Sequence, residues 1–166
     1  MAEAHVSLKG STVRMKLKPH GGPVYRAMLR GACFKYPDKI HPEAYIRRER
    51  EQNGTWVKKD EKGVSVAVSQ KSLFKYVEPK AIGEIESEVV RAIRNPVKNV
   101  ALEILADPPE PDSEHGNITD IPYVSEDRDT AEFLSGELAR NSKLMGEREF
   151  NMLRDGVKEG HNRRPE

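Results

Sequence analysis

The clearest strand signal in the sequence is Gly63-Val64-Ser65-Val66-Ala67-Val68-Ser69, where β-branched apolar residues alternate with small ones. Such alternation is typical of a strand with one buried face, because successive side chains of a strand point to opposite sides. The same pattern predicts strands at 12–17, 24–30 and 54–57. The first half of the chain therefore favours an antiparallel sheet.

Two details of these strands can be predicted further. In segment 24–30 we expect Tyr25, Ala27 and Leu29 to face the core, which places Arg26 on the opposite side. The charged run 58–63 ends in glycine, so we expect it to connect the strands at 54–57 and 63–69 as a hairpin.

The pattern changes to helix after Pro79. Apolar residues recur at intervals of three and four, as in one stripe of an amphipathic helix: Ile82, Ile85, Val89 and Ile93. Asp129 with Glu132 three residues later resembles a capping box, which predicts a second helix over 130–144. Between these helices, 100–105 and 115–122 are predicted as a buried strand and a short edge strand.

The fold class predicted from this order is α+β. We expect a mainly antiparallel sheet from the N-terminal half, with two or three helices from the C-terminal half packed on one face. A chain of 166 residues fits one domain. We place that domain at 1–157 and predict a flexible, charge-rich C-terminal tail at 158–166.

Composition excludes several classes of protein. Leu, Ile, Val and Phe total 36 of 166 residues, just above the roughly 20 % below which disorder prevails, and the net charge is only +1. No apolar run approaches the roughly 20 residues that span a bilayer, and the start MAEAHVSLKG lacks a signal-peptide core. We therefore predict a cytoplasmic protein with no membrane partner. Cys33 is the sole cysteine, which excludes an internal disulfide.

The two halves of the chain carry opposite charge. Residues 1–78 hold 16 basic and 8 acidic side chains, whereas residues 79–166 hold 12 basic and 19 acidic ones. Such polarity favours association, so the leading interpretation is a small accessory or regulatory protein that binds a protein partner or forms a homo-oligomer. The candidate binding residues are Arg26, Arg30, Arg47, Arg48, Lys58 and Lys59.

Nucleic-acid binding is an alternative, because aromatic residues such as Tyr25, Tyr45 and Trp56 lie among the basic ones. Basic grooves with exposed aromatic rings attract phosphates and stack bases. The sequence pI of 7.8 is below the value above 9 that is typical of a dedicated basic domain. The aromatic residues also fit an ordinary core.

Histidine spacing predicts no metal site, since no two of the five histidines stand three or four residues apart. The sequence does not identify a cofactor. His115 is the strongest candidate for a general acid or base, because it follows the acidic, proline-rich segment 106–114 and precedes a glycine. A solvated loop histidine is the alternative interpretation.

Four fragments carry a resemblance to known proteins: Val24-Tyr25-Arg26, Gly63-Val64-Ser65-Val66, Asp107-Pro108 and His115-Gly116-Asn117-Ile118. With the Ala-Glu-Phe-Leu segment that follows, their order resembles that in small uncharacterised bacterial proteins. More distantly, the chain resembles ADP-ribosyltransferase-like folds. In those folds an Arg on an early strand, a Ser on a later strand and a Glu-x-Glu pair hold and activate the nicotinamide dinucleotide.

The resemblance implies a nucleotide- or NAD-processing enzyme. It makes Arg26 the residue that grips a phosphate, Ser65 the strand serine, and Glu84 with Glu86 the acidic pair. A guanidinium matches a phosphate in bidentate fashion, and a carboxylate stabilises an oxocarbenium-like centre. The apolar stripe of 82–93 instead places both glutamates on the solvated face of a helix, and the two interpretations remain open.

Overall fold

A computed structural model describes residues 4–6, 13–15, 22–58, 63–75 and 77–162. Most strands in these residues are short. In chain order they are β1 (Ala4–Val6), β2 (Val13–Met15), β3 (Pro23–Met28), β4 (Phe34–Lys35), β5 (Lys39–Ile40), β6 (Glu49–Gln52), β7 (Thr55–Lys58), β8 (Val64–Ala67), β9 (Ala81–Glu86), β10 (Arg94–Asn95), β11 (Val100–Ala101), β12 (Ile104–Ala106), β13 (His115–Ile118) and β14 (Lys143–Leu144).

Two of the helices in the described residues are long, and both lie in the C-terminal half. The helices are α1 (Gln70–Leu73), α2 (Ser87–Ala92), α3 (Arg128–Arg140) and α4 (Glu147–Asn162), with 3₁₀ helices at Gly31–Cys33 and Pro42–Tyr45. The α+β fold class is therefore confirmed. The strands predicted at 12–17 and 63–69 contain β2 and β8, and those predicted at 24–30 and 54–57 overlap β3 and β7.

Six strands form one antiparallel sheet in the order β12-β13-β8-β3-β9-β14. When only these six strands are counted, in the order in which they occur in the chain, their order across the sheet is 4-5-2-1-3-6. β3 pairs with β9 from Pro23–Glu86 to Met28–Ala81, but its described pairing with β8 is limited to Tyr25–Ala67. The sheet therefore has two three-stranded halves, which meet at a seam between β3 and β8.

The sheet has an apolar face and a mixed face. Val24 and Met28 of β3 are each 1 % exposed and belong to the large cluster that contains Leu134 and Leu138 of α3. This is the apolar face. Tyr25 and the other residues of β3 that point the opposite way lie on the mixed face.

A smaller apolar cluster packs on the mixed face. It joins Ala67 and Ile82 of the sheet to Leu73 of α1 and Phe150 of α4. Phe74, which follows α1, stacks on Phe150 with ring centroids 6.3 Å apart. Helices therefore cover both faces of the sheet.

The prediction that Tyr25 and Ala27 face a core holds only for the smaller cluster on the mixed face, against which both pack, and not for the main core. Val24 and Met28 face it, and Arg26 shares their side. An arginine is tolerated there because its guanidinium donates hydrogen bonds to main-chain carbonyls, which offset its loss of water contacts.

The predicted helix over 82–93 is wrong in its first half. Residues Ala81–Glu86 form β9, and the helix α2 covers only Ser87–Ala92. Ile82 and Ile85 point to opposite faces of β9 and are 0 % and 2 % exposed. A strand covered on both faces has apolar residues on both sides, so its pattern can imitate a helical stripe.

Two predicted strand arrangements also differ from the structure. β7 pairs with β6, and β8 lies between β13 and β3, so the described strands do not form the expected hairpin across 58–63. Residues 59–62 lie outside the described part. The strand predicted at the sheet edge over 115–122 is β13, which is internal because β12 and β8 flank it.

The boundaries of the C-terminal helices shift by a few residues. α3 begins after Asp127, not Asp129, since the Asp127 carboxylate accepts hydrogen bonds from the Thr130 hydroxyl at 2.6 Å and the Thr130 N–H at 3.1 Å. These bonds lower the pKa of Asp127. The helix ends at Arg140, before β14, and α4 continues to Asn162, inside the segment predicted as a tail.

Candidate functional site

Ser65 and His115 lie side by side on the mixed face. In the register of β8 and β13, Ser65 is opposite Asn117 and Ala67 is opposite His115. All four side chains therefore point to one side of the sheet. The Ser65 hydroxyl is hydrogen-bonded to Nε2 of His115.

Asp107 lies beside Nδ1 of the His115 imidazole, the ring nitrogen that does not contact Ser65. Nδ1 of His115 lies 3.2 Å from the Asp107 carbonyl oxygen and 3.9 Å from its carboxylate Oδ2. A proton on Nδ1 can be donated to that carbonyl, which leaves Nε2 to accept the Ser65 proton. The arrangement of a hydroxyl, a base and a group that orients the base is the one required to activate a nucleophile.

Backbone and amide contacts fix Asp107 in place. Its N–H donates to the His115 carbonyl at 2.9 Å, and the Asn117 side-chain amide donates to its Oδ2 at 3.4 Å. Asn117 is 7 % exposed, whereas the His115 and Asp107 side chains are 25 % and 29 % exposed. A buried amide therefore holds the Asp107 carboxylate, while the His115 and Asp107 side chains remain partly accessible to solvent.

Tyr25 and Glu84 extend the mixed face across the seam. Tyr25 is opposite Ala67 on one side and Glu84 on the other. Burial, followed by the charge of Glu84 and its hydrogen bond to the phenol, raises the pKa of Tyr25. Tyr25 and Glu84 are therefore separated from His115 by the buried Ala67, which lies between His115 and Tyr25 in the register of the sheet.

The acidic pair implied by the resemblance is not next to Ser65. Glu84 and Glu86 lie on β9, and the whole of β3 separates that strand from β8. Glu86 is opposite Pro23 at the end of the pairing and is exposed. The carboxylate that contacts the Ser65–His115 pair is Asp107.

Arg26 crosses the seam through its guanidinium. Its Nη1 donates to the Ser65 carbonyl at 3.0 Å, and its Nε donates to the Ala44 carbonyl at 2.9 Å. The side chain thus joins β3 to the strand that carries Ser65 and to the 3₁₀ helix Pro42–Tyr45. These two bonds give Arg26 a positioning role.

Three other arginines proposed as binding residues have partners within the chain. Arg30 and Arg48 both bind the Glu43 carboxylate, with N–O distances of 2.9 Å. Arg47 is 9 % exposed, donates to the Ile121 carbonyl at 2.5 Å and lies 4.1 Å from the centre of the Tyr123 ring. The side chain of Lys58 and all of Lys59 lie outside the described part.

The Glu43 cluster predicts a small dependence of stability on pH. Hydrogen bonds from Arg48, and then from Arg30, hold the pKa of Glu43 below its ordinary value of 4.5. A lowered folded-state pKa contributes stability above the unfolded-state pKa, and that contribution is lost as pH falls through the folded-state value. Because both arginines are exposed, we expect Glu43→Gln to cost below about 1 kcal/mol at neutral pH.

Urea unfolding of wild type and Glu43→Gln at pH 7 and pH 3 measures this difference. The gap in unfolding free energy should shrink at pH 3. A gap that widens as the pH falls contradicts the assignment.

Neither a metal cluster nor a membrane span is found in the described part of the chain. No group of three or more His, Cys, Asp or Glu side chains there is placed to hold a metal ion. No helix there has both the length and the apolar character needed to cross a bilayer.

Sequence reasoning identified two members of the cluster, Ser65 and His115, and gave no role to Asp107 or Asn117. The signal for Asn117 is its spacing of two from His115 within a strand, which places both on one face. Asp107 could not be found in this way, because it follows β12 and meets His115 only through the pairing of β12 with β13.

Comparisons of the chain with family models, with curated proteins and with solved structures found no match.

Proposed function

We propose that the chain is a nucleotide-processing enzyme that uses NAD or a related ADP-ribosyl donor as substrate, at the mixed face beside the seam. The observation that carries the proposal is the cluster of Ser65, His115 and Asp107. In the ADP-ribosyltransferase-like folds that the chain resembles, the strand that carries the Arg and the strand that carries the Ser bind one ligand together. β3 and β8 are neighbours, and Arg26 bonds the Ser65 carbonyl.

The chemistry of the donor suits these groups. When the bond between ribose and nicotinamide breaks, the electron pair leaves with nicotinamide and positive charge develops on the ribose. A fixed carboxylate stabilises that charge, which is the role we assign to Asp107. Nε2 of His115 accepts the proton of the attacking water or acceptor hydroxyl. The Ser65 hydroxyl supplies a hydrogen bond that orients the substrate, and the buried Asn117 amide holds the Asp107 carboxylate in place.

The proposal departs from the resemblance in two roles. Arg26 already donates to two carbonyls, so it supports the Ser65 strand, and we assign it no phosphate. We assign the stabilisation of the positive charge on the ribose to Asp107, and not to Glu84 or Glu86, since Asp107 is the carboxylate beside His115.

An enzyme is favoured here over a binding module with a basic surface. Arg47 cannot serve on such a surface because it is buried against Tyr123, and Arg30 and Arg48, although exposed, share their charge with one carboxylate, Glu43. A polar cluster with a hydroxyl, an imidazole and a carboxylate is more typical of catalysis than of simple adhesion.

Incubation of the purified chain with NAD, followed by chromatography of the products, tests the proposal. We expect release of nicotinamide with wild type, at a rate proportional to protein concentration, and a strongly reduced rate with Ser65→Ala. Release at equal rates from wild type and Ser65→Ala would assign the activity to another site or to a contaminant.

A serine acyl hydrolase is the second candidate, favoured by the Ser65–His115 hydrogen bond with Asp107 behind the imidazole. In that reaction the Ser65 oxygen attacks the carbonyl carbon, and His115 takes the serine proton and returns it to the leaving group. A fluorophosphonate probe should then label wild type at Ser65 and leave Ser65→Ala unlabelled. The NAD-processing proposal expects no such labelling.

A further inference from the structure

The peptide bond between Asp107 and Pro108 joins a residue that can attack its own carbonyl group to a nitrogen that leaves readily. It is the sole Asp-Pro bond in the sequence. An aspartate carboxylate closes a five-membered ring when it attacks its own carbonyl carbon. The proline nitrogen is part of a tertiary amide and is a better leaving group than an ordinary amide nitrogen. Whether such a bond is cut near neutral pH depends on the groups around it.

His115 contacts the carbonyl group of this bond. Its Nδ1 lies 3.2 Å from the Asp107 carbonyl oxygen and 3.9 Å from Oδ2 of the same residue. The carbonyl group and the carboxylate of Asp107 therefore face one imidazole nitrogen. The Asn117 amide donates to Oδ2 at 3.4 Å, and the Asp107 N–H donates to the His115 carbonyl at 2.9 Å. A donor fixed at a carbonyl oxygen stabilises the negative charge that develops there during attack.

The loop that begins with this bond is anchored at its far end and exposed in its middle. Ser113 is buried and its hydroxyl donates to the His115 carbonyl at 3.1 Å. The Val68 N–H donates to the Glu114 carbonyl at 3.0 Å. Residues 108–112 are exposed. The bond is thus held against His115 on one side and open to solvent on the other.

We propose that the chain cleaves itself between Asp107 and Pro108. A carboxylate oxygen of Asp107 bonds to the Asp107 carbonyl carbon, and the C–N bond to Pro108 breaks with its electron pair going to nitrogen. His115 in its protonated form donates the Nδ1 proton, first as a hydrogen bond to the carbonyl oxygen and then to the Pro108 nitrogen. The products of this step are a cyclic anhydride at Asp107 and a new N-terminus at Pro108.

Water completes the reaction. It adds to the anhydride, one C–O bond of the ring breaks, and His115 takes one proton of the water. The other proton stays with the new carboxyl group until it passes to solvent. The net change is hydrolysis of one peptide bond, which restores the side chain of Asp107 and gives that residue a terminal carboxylate. The step needs no NAD, so it does not rest on the reaction proposed above.

The two fragments should stay together after the cut. β12 precedes the cut and β13 follows it, and these strands pair from Ile104–Ile118 to Ala106–Gly116. β13 also pairs with β8, and α3 contributes to the main core. We therefore expect the cut chain to elute as one particle in size-exclusion chromatography and to separate into two bands on a denaturing gel.

Incubation of the purified full chain at pH 6 without added ligand, followed by intact-mass spectrometry, tests the proposal. We expect fragments 1–107 and 108–166 to accumulate at a rate per molecule that does not change on dilution, as an intramolecular reaction requires. Urea at the same pH should slow the cut by roughly 10²-fold, because unfolding removes His115 from the carbonyl group. His115→Gln should slow the cut in the folded chain to a similar extent.

Pro108→Ala and Pro111→Ala form a matched pair. Both replace an exposed proline of the same loop, but only Pro108 supplies the leaving nitrogen. Pro108→Ala should therefore abolish the cut, and Pro111→Ala should be cut like wild type. Thermal unfolding of each variant checks that the fold is intact. A wild-type chain that is uncut after several weeks overturns the proposal, and so does a cut that proceeds as fast in urea as in the folded chain.

Discussion

Replacing His115 with glutamine is expected to lower the rate of nicotinamide release from NAD by roughly 10²–10⁴-fold, the usual contribution of general acid–base catalysis. Glutamine retains a polar group near the Ser65 hydroxyl but cannot accept and pass on a proton at neutral pH. Product chromatography under saturating NAD measures the effect. Circular dichroism and thermal unfolding of the variant confirm that the fold is intact.

His41→Gln provides the matched control. His41 precedes the 3₁₀ helix Pro42–Tyr45, where its backbone N–H donates to the Cys33 carbonyl at 2.8 Å, and that bond survives the substitution. We expect its rate to equal that of wild type. If His115→Gln also keeps the wild-type rate, His115 is not the base.

The second large effect concerns Gly63, which immediately precedes β8. Its φ is +133°, and a Cβ there would overlap the Ile118 carbonyl group and lie 3.2 Å from Cβ of Asn117. Backbone strain of this kind costs about 1–3 kcal/mol, and the overlap adds to it. We expect Gly63→Ala to lose roughly 3–4 kcal/mol, which for a domain of this size lowers the melting temperature by about 6–16 °C.

Gly54→Ala separates the two causes of that loss. Gly54 also has a positive φ, +77°, but an added Cβ there meets no atom within 4 Å. Only the backbone penalty should remain, about 1–2 kcal/mol. Equal losses in the two variants, measured by chemical unfolding, would show that the close approach of β8 to β13 does not matter. The close approach of β8 to β13 also places Ser65 opposite Asn117, so a substitution at Gly63 is expected to disturb the candidate site as well as the stability of the fold.

Four strands of the first half, β2, β3, β7 and β8, could be predicted from local alternation of residue types, whereas the short β1, β4, β5 and β6 were not predicted. The segment 82–93 could not be predicted in this way, since β9 is covered on both faces and its apolar residues match a helical spacing. The choice between strand and helix there depends on contacts with β3 and β14, which the local pattern does not contain.

Two members of the candidate site, Ser65 and His115, could be predicted from the sequence, but the arrangement of the site could not. Ser65 and His115 are 50 residues apart, and their contact depends on the pairing of β8 with β13. Periodicity places each side chain on a face of its own strand but does not say which strands are neighbours. For the same reason the sequence does not reveal that Glu84 lies two strands away from Ser65 or that Asp107 lies beside His115.

Titration calorimetry of the wild-type chain with NAD and with ADP-ribose tests whether a nucleotide binds beside Ser65 and His115. We expect heat on addition of NAD, binding of ADP-ribose at the same site, and loss of both signals in a Ser65→Ala, Asn117→Ala double variant that still unfolds cooperatively. Absence of heat from either ligand at millimolar concentration, or equal binding by that variant, contradicts a nucleotide site at Ser65 and His115.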